Sequence, residues 1–371
     1  MKVLILTNIP SPYRVDFFNE LNKYCDLTVI YERKYAKNRE NKWLKNDSIK
    51  FNAIYLKGIK YGDDSSCSFQ ILKYLKDRTF DLILISGYSS ITDMIAINYL
   101  HKKKIDFIFN CDGGIVKSDN AIIHKIKSYF ISKPKYWLST GKMTDDYLCH
   151  YGANKQYIYR YPFTSIKKNE IIQDKLSKHN IDIIKDKLGI FEDKVCITVG
   201  QFIYRKGFDI LIKSAQFVNN NIGIYIIGGT PTKEYLKLVD ELKLKNVHFV
   251  GFKDKNALCE YYKIADLFVL PTREDIWGLV INEAMAFGLP IITTNKCVAG
   301  IELVEDNVNG YIISVDDYIM LSKRINEICN NDKLRNIMYK NNINKIKQYT
   351  IENMVEEYIN IFNEILKVIK K

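Results

Sequence analysis

Short apolar runs alternate with helix-length amphipathic segments along almost the whole chain. This alternation is typical of α/β folds, in which helices cover a parallel sheet. The runs predicted as strands are 2–7, 26–31, 80–86, 105–110 and 135–139 in the first half and 194–199, 223–227, 246–250, 266–270, 290–294 and 310–313 in the second. The segments predicted as helices include 13–24, 68–77, 89–101, 120–132, 207–218, 232–243, 255–264, 280–287, 332–347 and 351–370. The strand at 194 starts a second complete unit, so the predicted fold class is α/β with two Rossmann-like domains in series.

The length also indicates two domains, because 371 residues exceed what one hydrophobic core usually serves. We place the boundary within 165–185, which gives an N-terminal domain of 1–170 and a C-terminal domain of 171–350. A helix at about 351–371 is expected to pack back on the first domain. Open parallel sheets bind ligands at the carboxyl ends of their strands. Two such domains facing across a cleft would therefore hold a ligand between them.

Cysteine usage and charge narrow the functional classes. The eight cysteines form neither a C-x-x-C pair nor a Cys/His cluster. This pattern argues against a structural zinc site or a disulfide framework and favours a reducing, cytoplasmic compartment. The formal charge of +12 suits an anionic ligand, an anionic membrane surface or nucleic acid, in that order. No nucleic-acid-binding motif accompanies it, so no nucleic-acid partner is expected.

Membrane-spanning and signal segments are not predicted. No window of the sequence reaches the roughly 18 uninterrupted apolar residues of a membrane span. The N-terminal MKVLILTNIP is too short for a signal peptide with its cleavage site, and we interpret it as the first strand.

Residues 271–290, PTREDIWGLVINEAMAFGLP, place two carboxylates around a glycine turn and the start of an apolar helix. The carboxylates are Asp275 and Glu283, and the turn contains Gly278 and Leu279. Backbone N–H groups at a helix N-terminus can bind phosphate, and carboxylates accept hydrogen bonds from sugar hydroxyls. The pattern therefore suits a phosphorylated, hydroxyl-rich ligand. The alternative is an ordinary loop and helix with a solvated acidic face.

A basic segment, VGQFIYRKG at 199–207, lies between a predicted strand and a predicted helix. Gly200 lets the backbone approach a ligand, and Arg205 and Lys206 stand before the helix N-terminus. A cation in this position can neutralise a diphosphate leaving group without a metal. A solvated basic turn is the alternative.

Two weaker signals follow later strands. In FVGF at 249–252, the Phe249 ring or the backbone at Gly251 could hold a nucleotide base. In CVAGIELVE at 297–305, a small-residue turn at Ala299 and Gly300 offers backbone N–H groups for phosphate or sugar oxygens.

These second-half segments occur in the order and near the spacing of family 4 glycosyltransferases with the GT-B fold, which the chain resembles over roughly 195–315. The resemblance rests on VGQFIYRKGFDILIKSA, HFVGF, ADLFVLPTREDIWGLVINEAMAFGLPII and GIELVEDNVNGYII. It implies a retaining, metal-independent transfer of a sugar from a nucleotide-diphosphate sugar, with no further cofactor. The implied partners are that nucleotide sugar and a glycan or polyprenyl-linked acceptor, in the synthesis of bacterial surface polysaccharide or glycolipid.

The resemblance also implies roles for individual residues. Lys206 would bind the diphosphate, Glu283 the ribose hydroxyls and Asp275 the donor sugar. The N–H groups near Gly278, Leu279 and Gly300 would meet phosphate or sugar oxygens.

The sequence departs from the family pattern at two positions. The first acidic position is usually Glu, but here it is Asp275, with Glu274 beside it as a rival. The residue after Gly200 is commonly Arg, but here it is Gln201. Arg205, Arg273 or Arg14 could supply the missing charge.

Two residues of the first half are further candidates. Arg14, in NIPSPYRVDFF at 8–18, could reach a phosphate from a loop made rigid by two prolines. Asp112, in FNCDGG at 109–114, could take a polar role where many family members have a His. The alternatives are a helix-capping surface loop and a simple turn residue.

Residues 120–135, NAIIHKIKSYFISKPK, combine apolar and basic side chains on one predicted helix. Such a helix can dock peripherally on a membrane, here the inner face of the plasma membrane. The alternative is a normal domain helix with a core face and a lysine-rich exterior.

Two other functions compete with transfer. A sugar-nucleotide epimerase of similar fold would need a set of general bases, and the sequence offers no convincing one. A non-catalytic nucleotide-sugar-binding protein would be indicated by loss of the lysine or the second carboxylate, yet Lys206 and Glu283 are both present.

Overall fold

A computed structural model describes residues 1–35, 49–62, 65–77 and 79–369 of the chain. The chain divides into two compact units. Unit 1 contains Met1–Ser165 and Thr350–Lys371, and unit 2 contains Ile166–Tyr349. Residues 370 and 371 of the expected C-terminal helix lie outside the described residues.

Unit 1 is built around a seven-stranded parallel sheet. The strands of unit 1, seven in this sheet and two in a separate pair, are β1 (Lys2–Thr7), β2 (Asp26–Tyr31), β3 (Asn52–Tyr55), β4 (Ile59–Tyr61), β5 (Ser65–Cys67), β6 (Leu82–Ile85), β7 (Ile108–Cys111), β8 (Tyr136–Ser139) and β9 (Ile158–Arg160). Its helices are α1 (Pro12–Leu21), α2 (Ile71–Lys76), α3 (Ile91–Lys102), α4 (Ala121–Ile131), α5 (Lys142–His150) and α14 (Ile351–Ile369). The strand order is β3-β2-β1-β6-β7-β8-β9, and β4 and β5 form a separate antiparallel pair.

The helix α14 belongs to unit 1 because its apolar face packs on α1. Its buried positions recur every three or four residues, as expected for one face of a helix. Tyr358 lies on that face, and its ring centroid is 4.8 Å from that of Phe17 in α1. The first and last helices of unit 1 therefore share one core.

Unit 2 is built around a six-stranded parallel sheet. Its strands are β10 (Lys194–Val199), β11 (Ile222–Ile227), β12 (Val247–Val250), β13 (Leu267–Leu270), β14 (Ile291–Thr294) and β15 (Gly310–Ile313). Its helices are α6 (Lys178–Leu188), α7 (Phe208–Ser214), α8 (Lys233–Glu241), α9 (Lys255–Ile264), α10 (Leu279–Ala286), α11 (Val298–Leu303), α12 (Tyr318–Cys329) and α13 (Asp332–Ile346).

The strand order of unit 2, β12-β11-β10-β13-β14-β15, is that of a Rossmann fold. The order reverses between β10 and β13, and in open α/β sheets ligands bind beyond the carboxyl ends of the strands at such a point. Both β13 and β14 are buried at every position, as expected for strands covered by helices on both faces. The two parallel sheets confirm the predicted α/β class with two Rossmann-like units.

The helix α6 was missed because its apolar face is small. It has no buried residue, and Ile181, Ile184 and Leu188 on one face are only half-buried. The signals that define it are its caps. The Ser177 hydroxyl accepts from the Asn180 N–H at 3.3 Å, and Gly189 ends the helix in the left-handed region at φ 68°.

Among the helices in the described ranges, none combines the length and the apolarity needed to cross a bilayer.

Candidate functional site

The candidate site of unit 2 lies where the loops after β10 and β13 meet. Gly200 follows β10, and residues 271–275 follow β13. These are the two strands between which the strand order reverses, where a Rossmann fold binds its ligands. The sequence-predicted residues Lys206 and Asp275 both lie on these loops.

A buried ion pair forms the centre of the site. Lys206 Nζ donates to Asp275 Oδ2 at 2.6 Å. The two residues are only 8% and 7% exposed. Arg205 is solvent-exposed, and its Nη1 lies 3.5 Å from the same carboxylate oxygen. Two cations thus share one carboxylate, which leaves a net positive charge next to the sheet edge.

The backbone of the basic segment 204–207 is fixed against the loop after β13. Gly207 has φ 68°, and a Cβ atom there would lie 2.0 Å from the Pro271 carbonyl oxygen, so only glycine fits. The Arg205 carbonyl accepts from the Arg273 N–H at 2.8 Å and from the Thr272 hydroxyl at 2.7 Å. These contacts place Lys206 by backbone geometry.

Arg273 holds the same two segments together through its side chain. Its Nη1 and Nη2 donate to the two carboxylate oxygens of Asp209 at 2.8 and 2.7 Å, and its Nε lies 2.8 Å from Asp316. Its guanidinium also lies 4.0 Å from the ring centroid of Tyr204. The hydrogen bonds to Asp209 raise the pKa of Arg273 above its ordinary value. Arg273 therefore has a structural role, because its guanidinium is engaged in ion pairs with Asp209 and Asp316.

The N-terminus of α10 lies beside the ion pair. Gly278 precedes the helix with φ 104°, and a Cβ atom built on it would lie 3.8 Å from the Asp275 carboxyl carbon. The turn is fixed by Trp277, whose Nε1 donates to Asn282 Oδ1 at 2.9 Å in the protein interior. The first N–H groups of a helix have no acceptor in a preceding turn. Gly278 and Leu279, at the start of α10, carry such groups and follow Asp275 in the same loop.

Residues 297–305, predicted as a small-residue turn, begin instead with the helix α11. Gly300 lies inside this helix, where a Cβ atom would clash with Thr293 Cγ2 at 2.4 Å. The N–H groups of Val298 and Ala299 donate to the carbonyls of Asp275 and Trp277 at 3.1 and 2.9 Å. The prediction of open N–H groups was therefore wrong for Ala299, because the start of α11 is used to hold the loop after β13.

Cys297 lies under the same loop. Burial raises the pKa of its thiol to about 12, and the charge of Asp275 adds to this effect. Its Sγ donates to the Trp277 carbonyl at 3.1 Å. The thiol is therefore a buried structural group.

Glu283 lies within α10 and is half-buried. Its Oε2 accepts from the hydroxyl of Tyr262, in α9, at 3.1 Å. Tyr262 is 2% exposed. The carboxylate of Glu283 is thus held by a hydrogen bond from α9.

The two candidate acids, Asp275 and Glu274, make different contacts in the structure. The Asp275 carboxylate contacts Lys206 and lies beside the N-terminus of α10. Glu274 contributes its backbone carbonyl, which accepts from Arg205 Nη1 at 3.2 Å and from the Thr272 hydroxyl at 2.9 Å. Of the two acids, Asp275 is the one whose carboxylate contacts Lys206.

Three other predicted residues of unit 2, Gly200, Gln201 and Gly251, lie in loops that follow strands of the sheet. A Cβ atom on Gly200 would lie 3.4 Å from Lys206 Cε, and Gln201 beside it is exposed. Gly251 is also exposed, in the loop after β12. The Phe249 ring packs against Phe202, with their centroids 5.7 Å apart, and so contributes to the core of unit 2.

Arg14 and Asp112 lie in unit 1 and form an ion pair there. Asp112 Oδ1 also accepts from the Tyr161 hydroxyl and from Asn110 Nδ2, both at 2.8 Å. Burial acts to lower the pKa of Arg14, but the charges of Asp112 and nearby tyrosine hydroxyls raise it above its ordinary value. Of the arginines considered as substitutes at Gln201, Arg205 is the one beside Asp275.

Three residues of the site were missed by sequence reasoning: Tyr262, Thr272 and Asp209. Tyr262 lies in a predicted helix, at a position that looks like ordinary core. Thr272 lies inside the segment 271–290, but its hydroxyl donates to backbone carbonyls, and such contacts leave no pattern in the sequence. Asp209 lies three residues after Lys206, at the start of FDILIKSA. The sequence signal for it was a negative charge at the start of a predicted helix.

Comparison with known proteins gives a consistent result. A family model described as "Glycosyl transferases group 1" matches residues 180–345. The chain is 31% identical over 198 residues, 52% of its length and 55% of the relative's, to an uncharacterized glycosyltransferase of Haemophilus influenzae. It is 22% identical over 371 residues, 93% of its length and 68% of the relative's, to the poly(ribitol-phosphate) alpha-N-acetylglucosaminyltransferase of Staphylococcus aureus.

A solved structure extends the likeness to the whole chain. HepE of Anabaena in complex with UDP and glucose is 16% identical, with a TM-score of 0.76 over 100% of this chain and 99% of that one. At this identity the match establishes the fold. The chain spans 55%, 65% and 46% of the length of the curated relatives that it matches first.

Proposed function

We propose that the chain is a group 1 glycosyltransferase that transfers a sugar from a nucleotide-diphosphate sugar to a glycan or lipid-linked acceptor, because the family model matches residues 180–345 and the fold matches that of HepE. The observation that carries the proposal is the buried pair of Lys206 and Asp275 beside the N-terminus of α10. It combines a cation and helix N–H groups for a diphosphate with a carboxylate for sugar hydroxyls.

In the proposed reaction an acceptor hydroxyl oxygen bonds to the anomeric carbon of the donor sugar. The bond from that carbon to the diphosphate oxygen breaks, and its electron pair leaves with the diphosphate. The hydroxyl proton passes to the departing phosphate oxygen. Attack on the face that the diphosphate leaves keeps the anomeric configuration. Lys206 and the N–H groups at Gly278 and Leu279 stabilise the charge that develops on the leaving group.

Metal independence is part of the proposal. A divalent ion in such a reaction would neutralise the leaving diphosphate. Lys206 is a fixed cation within a site that already carries a second one, Arg205. The protein can therefore supply this charge itself.

The two other proposed site residues bind parts of the donor that do not react. Glu283 holds the ribose hydroxyls, and the loop after β12, which contains Gly251, lies near the base. The relative from Staphylococcus aureus is named for transfer to a poly(ribitol-phosphate) chain, which supports a role in the synthesis of bacterial surface polysaccharide or glycolipid.

A donor panel tests the proposal. The chain is incubated with UDP-, GDP- and ADP-sugars, and thermal shift is followed by measurement of transfer to glycan and polyprenyl-linked acceptors. We expect one donor to stabilise the protein and to be consumed with release of its nucleoside diphosphate. EDTA is expected to change the rate by less than about twofold, because no step relies on a metal.

Three results of this panel would contradict the proposal. A donor that binds without turnover with every acceptor would indicate a non-catalytic nucleotide-sugar-binding protein. Conversion of the donor to an epimer would indicate an epimerase. A strict requirement for a divalent ion would refute the metal-independent mechanism.

The surface of α4 supports a membrane contact as part of the same proposal. Phe130 and Ile131, predicted to belong to its apolar face, are buried in the cores of unit 1. Ile122 and Tyr129 are instead 72% and 52% exposed, and Ile123 and Ile126 are also exposed.

Basic side chains border this exposed surface. Lys125 is exposed, and Lys133 Nζ lies 3.9 Å from the ring centroid of Tyr129. Lys127 and Lys135 are held in ion pairs with Asp119 and Asp106. An apolar surface with a basic border suits an anionic lipid interface, where a lipid-linked acceptor would be met.

A double variant tests this contact. Ile122→Glu with Ile126→Glu is expected to lower binding to vesicles containing phosphatidylglycerol by about tenfold or more, since two exposed apolar side chains that would enter the lipid interface are replaced by negative charges. Co-sedimentation measures the effect. The control is Ile319→Glu in α12 of unit 2, where the wild-type residue is 52% exposed. Equal binding by the wild type and both variants would rule out this surface.

A further inference from the structure

Glu283 has a buried phenol as its neighbour. The Tyr262 hydroxyl lies 3.1 Å from Glu283 Oε2. Burial raises the pKa of Tyr262 well above its usual range, and the charge of Glu283 raises it further. The phenol therefore keeps its proton at any working pH, so Tyr262 is the donor and the carboxylate is the acceptor.

The position of the Tyr262 hydroxyl is set by packing. Its ring stacks on Phe287, with centroids 5.3 Å apart and an interplanar angle of 13°. On β13, the Phe268 ring lies 6.1 Å away. A phenol held by two rings has little freedom to move. Its hydrogen bond therefore holds one oxygen of the Glu283 carboxylate in a fixed position.

We propose that Tyr262 is a positioning residue that turns the Glu283 carboxylate toward the ribose hydroxyls and so gives the site its preference for ribonucleotides over deoxyribonucleotides. The inference rests on the proposed donor-binding role of Glu283. An ionised carboxylate has about four acceptor positions, and Tyr262 occupies one of them. Sites built to hydrogen-bond a substrate hydroxyl discriminate strongly against analogues that lack it.

The experiment measures how well the protein distinguishes a ribose from a deoxyribose. Of UDP, GDP and ADP, the one that raises the melting temperature most is titrated by calorimetry beside its 2′-deoxy and 3′-deoxy forms. In the wild type we expect ribose to be preferred over each deoxy form by about 100-fold, as for the loss of one strong hydrogen bond to a charged group. In Tyr262→Phe the preference is expected to fall to about tenfold, and in Glu283→Gln to less than about threefold.

Tyr261→Phe is the matched control. Tyr261 is the preceding residue of α9 and is also buried, so the change removes the same atom from the same helix. Its ribose preference is expected to equal that of the wild type. A merely structural loss would lower affinity for ribo- and deoxy-forms alike, and so would leave the preference unchanged.

The outcomes separate this inference from the proposed function. A folded Tyr262→Phe variant with the wild-type ribose preference would overturn the positioning role of Tyr262. If the preference were still lost in Glu283→Gln, the donor-binding role proposed for Glu283 would stand. A wild type without any ribose preference would remove the role proposed for Glu283 itself. If Tyr262→Phe does not fold, Phe287→Leu is used, which removes the stacking partner but keeps the hydroxyl. An unchanged preference in that variant counts against the inference.

Discussion

Lys206→Ala is expected to lower kcat/KM for sugar transfer by about 1,000-fold, because it removes the cation that stabilises the departing diphosphate. The same change leaves Asp275 buried without its main partner. Breaking a buried ion pair in this way costs about 3–5 kcal/mol of stability, and Arg205, 3.5 Å away, compensates only in part. A fall in melting temperature is therefore expected with the fall in activity.

A double variant separates the two effects. Lys206→Ala combined with Asp275→Ala removes both charges and is expected to recover most of the lost melting temperature, with transfer still as slow as in Lys206→Ala. The control is Lys213→Ala in α7, a half-exposed lysine without a proposed role, which should keep wild-type rates. If activity returned together with stability in the double variant, the role of Lys206 would be structural.

Asp275→Asn is expected to reduce transfer by about 100-fold and, at the same time, to tighten the binding of free nucleoside diphosphate. The first effect follows from loss of a charged acceptor for the donor sugar. The second follows because a negative charge 2.6 Å from Lys206 disappears, which strengthens the attraction of the site for an anion. Steady-state rates and calorimetry measure the two effects separately.

Glu274→Gln is the matched comparison for Asp275→Asn. Glu274 serves the loop through its backbone carbonyl, which the substitution keeps. We expect transfer to stay within about threefold of wild type, the range of most surface substitutions. A large loss in Glu274→Gln with a small one in Asp275→Asn would reverse the assignment of the acid.

Much of the fold follows from hydrophobic pattern alone. The strand β10 and the helix α9 have the predicted bounds, because a mainly apolar run and an amphipathic segment each carry a strong signal. The pattern fails where burial is slight or where an element is short. The helix α6 has no buried residue, and the pair β4 and β5 has three residues in each strand.

The sequence predicted which loops form the candidate site, but the pairing inside it needed coordinates. Lys206 and Asp275 are 69 positions apart in the chain, and only the parallel register of β10 and β13 brings them to 2.6 Å. The hydrogen bonds from Arg273 to Asp209 and from the Ala299 N–H to the Trp277 carbonyl depend on loop geometry. No periodicity or composition encodes such contacts.

The division of unit 1 between two distant stretches of sequence sets the order in which the chain can be completed on the ribosome. All of unit 2, residues 166–349, is synthesised before the helix α14 that covers α1. Domains commonly fold as units, with the N-terminal one first. Here the sheet that is made first must wait for residues 351–369, and until then the apolar side of α1 around Phe17 lacks its cover. A chain that ends after residue 349 would therefore contain all of unit 2 but lack the helix that covers α1.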